Sequence, residues 1–183
     1  IGFILVLFTN RETILLSFGA VSLVAIYPFM KRYTNLPQLV LGVAFSWGIL
    51  MAFTAQTGGI PQPAYLLFVG NLLWTVAYDT QYAMVDREFD IEIGVKSTAI
   101  LFGDMDKAII ALLQMMFIVS MWLAGRQLEM GIAYYASLLI ACGLLGYQQY
   151  LIRNRHPGPC FTAFLNNNWV GAVVFIGIFL SYI

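Results

Sequence analysis

Charged side chains fall at a few places along the chain, and the apolar intervals between them have the length of membrane-spanning helices. No Asp, Glu, Lys or Arg occurs from Thr13 to Met30, and Lys31 and Arg32 close that run. A spanning helix needs about 20 apolar residues, so this interval predicts one crossing. The 46 residues between Arg32 and Asp79 are free of the same four residue types. That is too long for one crossing, and the segment QTGGIPQP (56–63), with Gly58-Gly59 and two prolines, predicts the dividing turn. Helices are therefore expected at about 36–55 and 64–86, then at about 107–125, 130–152 and 160–183. The opening IGFILVLF (1–8) is too short to cross and reads as the end of a further helix. The expected fold is all-α: a polytopic transmembrane helix bundle, with six complete helices and one partial one in a single domain over 1–183.

Composition agrees, since 61% of residues are hydrophobic and only 10% charged, at a mean hydropathy of +0.82. These values exclude an ordinary soluble domain. Nine Lys and Arg balance nine Asp and Glu, which argues against a polybasic nucleic-acid binder and implies no nucleic-acid partner. No protein partner is implied either, whereas contact with membrane lipid is. Cys142 and Cys160 lack metal-knuckle spacing and are read as packing residues, outside any disulfide framework. Gly42, Ser46 and Gly48, and Gly143 with Gly146, are expected to allow close helix approach. The chain begins at Ile1 without the basic flank of a signal peptide, so it is expected to be the C-terminal part of a longer protein.

The placement of the basic residues predicts orientation. Lys31, Arg32, Arg87, Lys96, Lys107, Arg153 and Arg155 fall at one end of the helices, against Arg11 and Arg126 at the other. The positive-inside rule assigns the connections 31–35, 87–106 and 153–159 to the cytoplasm, with the C-terminus outside.

One cytoplasmic connection differs from the rest. The segment DTQYAMVDREFDIE (79–92) holds five of the nine acidic residues. Asp79 continues from an apolar helix, and on a continuous helix Asp86 and Asp90 would lie within about 20° of it on either side. Like charges stacked this way repel, so the stripe calls for a cation. The competing account is a solvated helix end neutralised by Arg87 and Lys96, and Glu88 and Glu92, which fall off the stripe, fit that account. Acids set in a membrane helix are costly and functional by default. Mg²⁺ suits them, because it takes hard oxygen ligands and is commonly held by one or two carboxylates together with substrate phosphates. Lys31 and Arg32, next to Tyr27, would supply a cationic clamp for a diphosphate, and they also serve as topology anchors.

The pair Tyr27-x-x-x-Lys31 and Asp86-Arg87-Glu88-Phe89-Asp90 resembles the UbiA superfamily of intramembrane prenyltransferases. The strings YPFMKRYTNLPQ, AYDTQYAMVDREFD and IGVKSTAILFG, with NNNWVG at 166–171, resemble those of its bacterial members that prenylate 4-hydroxybenzoate in ubiquinone synthesis. The resemblance runs the length of the chain and implies a parent bundle of about nine helices around a central cavity, with two aspartate-rich motifs. Only the second motif is matched here, and the first is expected before Ile1. The resemblance further implies Mg²⁺ bound by Asp86 and Asp90, with Asp79 extending the set, and diphosphate held by Lys31 and Arg32. Tyr27, Asp79, Tyr82 and Lys96 are expected to contribute to substrate binding. The implied reaction transfers a polyprenyl group from polyprenyl diphosphate to the carbon ortho to the hydroxyl of 4-hydroxybenzoate, at the cytoplasmic side of the bacterial inner membrane. Tyr27, Phe29, Trp74, Tyr78 and Tyr82 offer π faces for an allylic cation or ordinary helix packing. Asn71 and Gln81 are open between orienting a carboxylate or the ring hydroxyl and interhelical bonding, and the run Asn166-Asn167-Asn168 between helix capping and a polar pocket wall. Lys96-Ser97, between Gly94 and Gly103, reads as a lid, and His156 as a solvated loop residue. The alternatives are another aromatic acceptor, such as a naphthoate, homogentisate or haem, and an ion-coupled transporter using the same aspartates.

Overall fold

The structure, a computed structural model, describes residues 2–183 apart from the side chain of Phe3. The helices are α1 (Gly2–Val6), α2 (Arg11–Tyr33), α3 (Pro37–Thr57), α4 (Gln62–Val85), α5 (Arg87–Glu92), α6 (Thr98–Phe102), α7 (Asp106–Gln127), α8 (Ile132–Ile152) and α9 (Pro157–Leu180). Among the described residues there is no strand. Six helices exceed 20 residues, at nearly the expected boundaries. Among the described residues five segments are long and apolar enough to cross a membrane: Arg11–Tyr33, Pro37–Thr57, Thr98–Gln127, Ile132–Ile152 and Pro157–Leu180. The remaining long helix, α4, is diluted by Gln62, Asn71, Asp79 and Gln81.

Local chemistry sets the boundaries. Asn10 caps α2 by accepting from the Thr13 backbone N–H at 2.9 Å, and its amide donates to the Thr54 carbonyl, which ties the start of α2 to the end of α3. Proline opens α3, α4 and α9 near N1, where its missing N–H costs nothing. Gly58 ends α3 with φ of 74°, a left-handed cap that suits glycine. The QTGGIPQP turn therefore divides the long neutral run where expected.

The polar content of α4 follows from its position, since it packs against α3, α7 and α9. Asn71 donates to Ser46 Oγ at 3.0 Å. Gln81 Nε2 donates to Gln148 Oε1 at 3.0 Å, and Gln81 Oε1 accepts from Asn167 Nδ2 at 3.1 Å. Gln114 also donates to Gln148, at 2.8 Å, and Gln148 donates to Asn166 at 3.1 Å. This amide network joins α4, α7, α8 and α9 where lipid provides no hydrophobic force between helices. Asn71 and Gln81 are thus interhelical bonds, and the asparagine run lies within α9 rather than at its cap, which is His156.

Two packing expectations are corrected. A Cβ at Gly48, Gly143 or Gly146 would meet open space, so these glycines do not mark close approaches. The tightest contacts lie at Gly177 against Ser137, Gly125 against Tyr134 and Gly19 against Trp47, with Gly42 against Leu72 close behind. Cys160 is buried among Ala77, Met84, Ile110 and Ile152, but Cys142 is exposed, because it sits on the outward face of α8. The Tyr134 ring is buried and anchored by its hydroxyl, which donates to the Met121 carbonyl at 2.7 Å. Gly125→Ala is therefore expected to cost about 1–3 kcal/mol, read as a lower thermal midpoint of the complete protein in detergent. An unchanged midpoint would show that Tyr134 moves aside freely.

The basic residues collect at one end of the bundle through direct contacts. The Lys96 N–H donates to the Lys31 carbonyl at 3.2 Å, Lys107 Nζ donates to the Arg153 carbonyl at 2.9 Å, and Arg87 and Arg155 meet at Asp106.

Candidate active site

The acidic segment is an interrupted helix. α4 ends at Val85, Asp86 takes φ −93° and ψ 2°, and α5 resumes at Arg87. The Asp90 N–H still donates to the Asp86 carbonyl at 2.8 Å, so these two residues stay one helical turn apart. The arithmetic of a continuous stripe therefore applies only up to Val85. Asp79 and Asp86 are half-buried, Asp90 is 7% exposed, and Glu88 and Glu92 face outward. Burial pushes the Asp90 carboxyl above the usual carboxylate range, with Lys31 opposing the shift and Asp86 adding to it.

Lys31 stands within electrostatic range of both Asp79 and Asp90, although these residues come from separate helices. Tyr27, one turn earlier on α2, is in range of Asp79. Gln38 is almost fully buried, and its Oε1 accepts the Thr98 N–H at 3.1 Å. Gln38 also lies close enough to Asp79 to favour its charged form. Thr98 also shares a 2.7 Å hydroxyl contact with Thr80. Together with the bond from Lys96 to Lys31, these contacts dock the 93–98 loop beside the carboxylates. Gly94 and Gly103, which flank this region, both have positive φ. Ser97 Oγ in the docked loop is buried and has no hydrogen-bond partner among the described residues.

Arg87, which the competing account of a solvated helix end pairs with the acids, points elsewhere. Arg87 Nη1 lies 3.5 Å from Asp106 Oδ2, and Asp106 is fully buried. Among the described residues no ion pair within 4.0 Å involves Asp79, Asp86 or Asp90. No group of three or more acidic, Cys or His side chains is gathered there closely enough to hold a metal ion by itself. The available donors are carboxylate oxygens with a lysine close by, a set that fits Mg²⁺ shared with phosphate oxygens rather than a closed protein cage.

One to two turns along α4 from Asp79, a cavity of about 310 Å³ is lined by Phe45, Trp74, Tyr78, Phe164, Leu165, Asn167 and Asn168. Trp74 Nε1 donates to Asn167 Oδ1 at 2.8 Å, which fixes the indole in the wall. Tyr82 is half in the open and packs on Phe164, with ring centroids 5.2 Å apart. Arg32 and Phe29 are exposed, and His156 is exposed as expected. Tyr27, Lys31, Asp79, Asp90 and Lys96 are thus brought together, Trp74 and Tyr78 line the adjoining cavity, and Arg32 stands outside it. Reading the sequence missed Gln38 and Asp106. Gln38 lies inside the quoted YPFMKRYTNLPQ string, whereas nothing local to Asp106 signals its role, because its partners are 19 and 49 residues away.

The chain resembles known proteins in sequence and in fold. The model of the UbiA prenyltransferase family matches residues 1–181. A 4-hydroxybenzoate octaprenyltransferase of Saccharophagus degradans is 62% identical over 181 residues, covering 99% of this chain and 60% of the relative. One of Ectopseudomonas mendocina is 58% identical, covering 99% of this chain and 61% of the relative. The chain therefore spans about 60% of the length of the curated relatives it matches. Among solved structures, an apo UbiA homolog from Aeropyrum pernix K1 superposes with a TM-score of 0.83 at 20% identity, over 99% of this chain and 68% of that one. A structure from work on digeranylgeranylglyceryl phosphate synthase superposes with a TM-score of 0.81 at 19% identity, over 98% of this chain and 64% of that one. The structural likeness speaks to the fold, and the family match over nearly the whole chain places this multi-pass helical protein in the UbiA prenyltransferase family.

Proposed function

We propose that this chain forms part of an enzyme that transfers a polyprenyl group from polyprenyl diphosphate to the carbon ortho to the hydroxyl of 4-hydroxybenzoate, releasing diphosphate, in ubiquinone synthesis. The observation that carries the reading is the gathering of Asp79, Asp90 and Lys31 from separate helices, beside an aromatic cavity and with no ion-pair partner for the acids among the described residues. The substrate pair follows the names of relatives 62% and 58% identical. The setting is the inner membrane, with the acidic end facing the cytoplasm.

In this reading Asp86 and Asp90, with Asp79, would hold Mg²⁺, which supplies charge stabilisation on the diphosphate when bound. Lys31 and Lys96 neutralise and orient the diphosphate oxygens, and the Ser97 hydroxyl is free to donate to one of them. The allylic C–O bond breaks with its electron pair leaving on diphosphate, and these cations favour that charge more in the transition state than in the ground state. The ring carbon of the acceptor supplies the electron pair for the new C–C bond, then loses its proton to restore aromaticity. Trp74, Tyr78 and Phe164 keep water from the electron-poor allylic carbon and present their π faces to it.

The test is mass spectrometry and NMR of the product formed by the complete, purified protein from a polyprenyl diphosphate and 4-hydroxybenzoate. A C-prenylated ring ortho to the hydroxyl is expected. An O-prenyl ether, or a product formed only with another aromatic acceptor, would overturn the assignment.

A further inference from the structure

Arg87 lies between two of the proposed metal ligands, one residue after Asp86 and three before Asp90, and the three-residue spacing to Asp90 is one at which side chains on a helix can pair. It does not do so here, and the reason lies outside the acidic segment. Asp106, at the first residue of α7, is fully buried and accepts from Arg155 Nε at 2.9 and 3.1 Å, from Arg155 Nη2 at 2.8 Å and from the Lys107 N–H at 2.7 Å. Arg155 has φ of 56°, a left-handed conformation uncommon for a non-glycine residue, and its Nη2 also donates to the Asp104 carbonyl at 2.8 Å. The hydrogen-bonded Asp106 carboxylate raises the Arg155 pKa further, so that arginine stays charged. Arg87 Nη1 approaches Oδ2 of the same carboxylate, the oxygen that also accepts from Arg155 Nε, at 3.5 Å.

We propose that Asp106, fixed by Arg155, is a positioning residue that draws Arg87 away from Asp86 and Asp90 and so keeps these carboxylates available to a divalent cation. This rests on the metal-site reading given above. A buried carboxylate with one bidentate arginine already has a counterion, so the second arginine is not needed to neutralise it. What the second contact does is set the direction of the Arg87 side chain at the α4–α5 break. Released, Arg87 would pair with Asp90 one turn on and compete with the metal.

The test is titration of the complete protein in detergent with Mn²⁺ and inorganic diphosphate, followed by electron paramagnetic resonance. Asp106→Asn is expected to weaken Mn²⁺ binding about three- to tenfold, and adding Arg87→Gln is expected to restore it. A purely structural role for Asp106 would leave the double variant as weak as the single one, and that result would overturn the proposal. Should Asp106→Asn fail to fold, Arg87→Gln alone decides: affinity equal to wild type is expected, because the charge is already diverted, and clearly tighter binding would show that Arg87 competes for the acids in the native protein. Asp104→Asn, whose side chain is fully exposed, is the control expected to leave Mn²⁺ binding unchanged. Absence of Mn²⁺ binding by wild type would overturn the metal-site reading itself, and the inference with it. Mn²⁺ binding by wild type with no change in a folded Asp106→Asn variant would sink the inference alone.

Discussion

Asp90→Ala in the complete protein is expected to lower prenyl transfer by about a thousandfold, and Asp86→Ala by a similar factor. Asp86 lies at the α4–α5 break and Asp90 one turn on, and among the described residues neither has an ion-pair partner, so on the proposed reading their removal takes away cation ligands and leaves no broken salt bridge behind. The variants should accordingly keep the thermal midpoint of the wild type while losing turnover. Asp79→Asn should be milder, because Gln38 and Lys31 remain to organise that part of the site. Initial rates with saturating polyprenyl diphosphate and excess Mg²⁺ check the set, and a wild-type rate in the Asp90 variant would remove it from the metal ligands.

Lys31→Ala should raise KM for polyprenyl diphosphate by about ten- to a hundredfold, the usual worth of a charge-assisted contact in a site sheltered from water. The effect should be specific to the diphosphate, with KM for the aromatic acceptor little changed. Arg126 provides the comparison: it belongs to the other end of α7 and stacks near Trp122, 6.0 Å from the ring centroid. Arg126→Ala should leave both KM values at wild type, and equal losses in the two variants would remove Lys31 from the diphosphate clamp.

Much of this architecture was legible because the bilayer makes sequence and structure unusually direct. Charge-free intervals must be helices when backbone groups have no water to bond, so α2, α3, α7, α8 and α9 could be bounded within a few residues. Lys31 and the aspartates stood out for the same reason, as costly residues in an apolar chain. The break at Asp86 could not be read, because DREFD carries neither glycine nor proline and continues the helical pattern. The diversion of Arg87 was also hidden: it depends on Asp106 and Arg155, which only the folded chain brings together. Small residues misled in part, since Gly143 and Gly146 look like a packing stripe but border open space, whereas Gly125 and Gly177 carry the tight contacts. Helical spacing alone does not say which face of a helix a neighbour will cover.

The most direct test uses membranes containing the complete protein, a polyprenyl diphosphate and labelled 4-hydroxybenzoate, with and without Mg²⁺, beside an Asp86→Ala control. The account predicts lipid-soluble labelled product that requires both Mg²⁺ and Asp86. Product formed equally well without the metal, or equally well by the Asp86 variant, would contradict it.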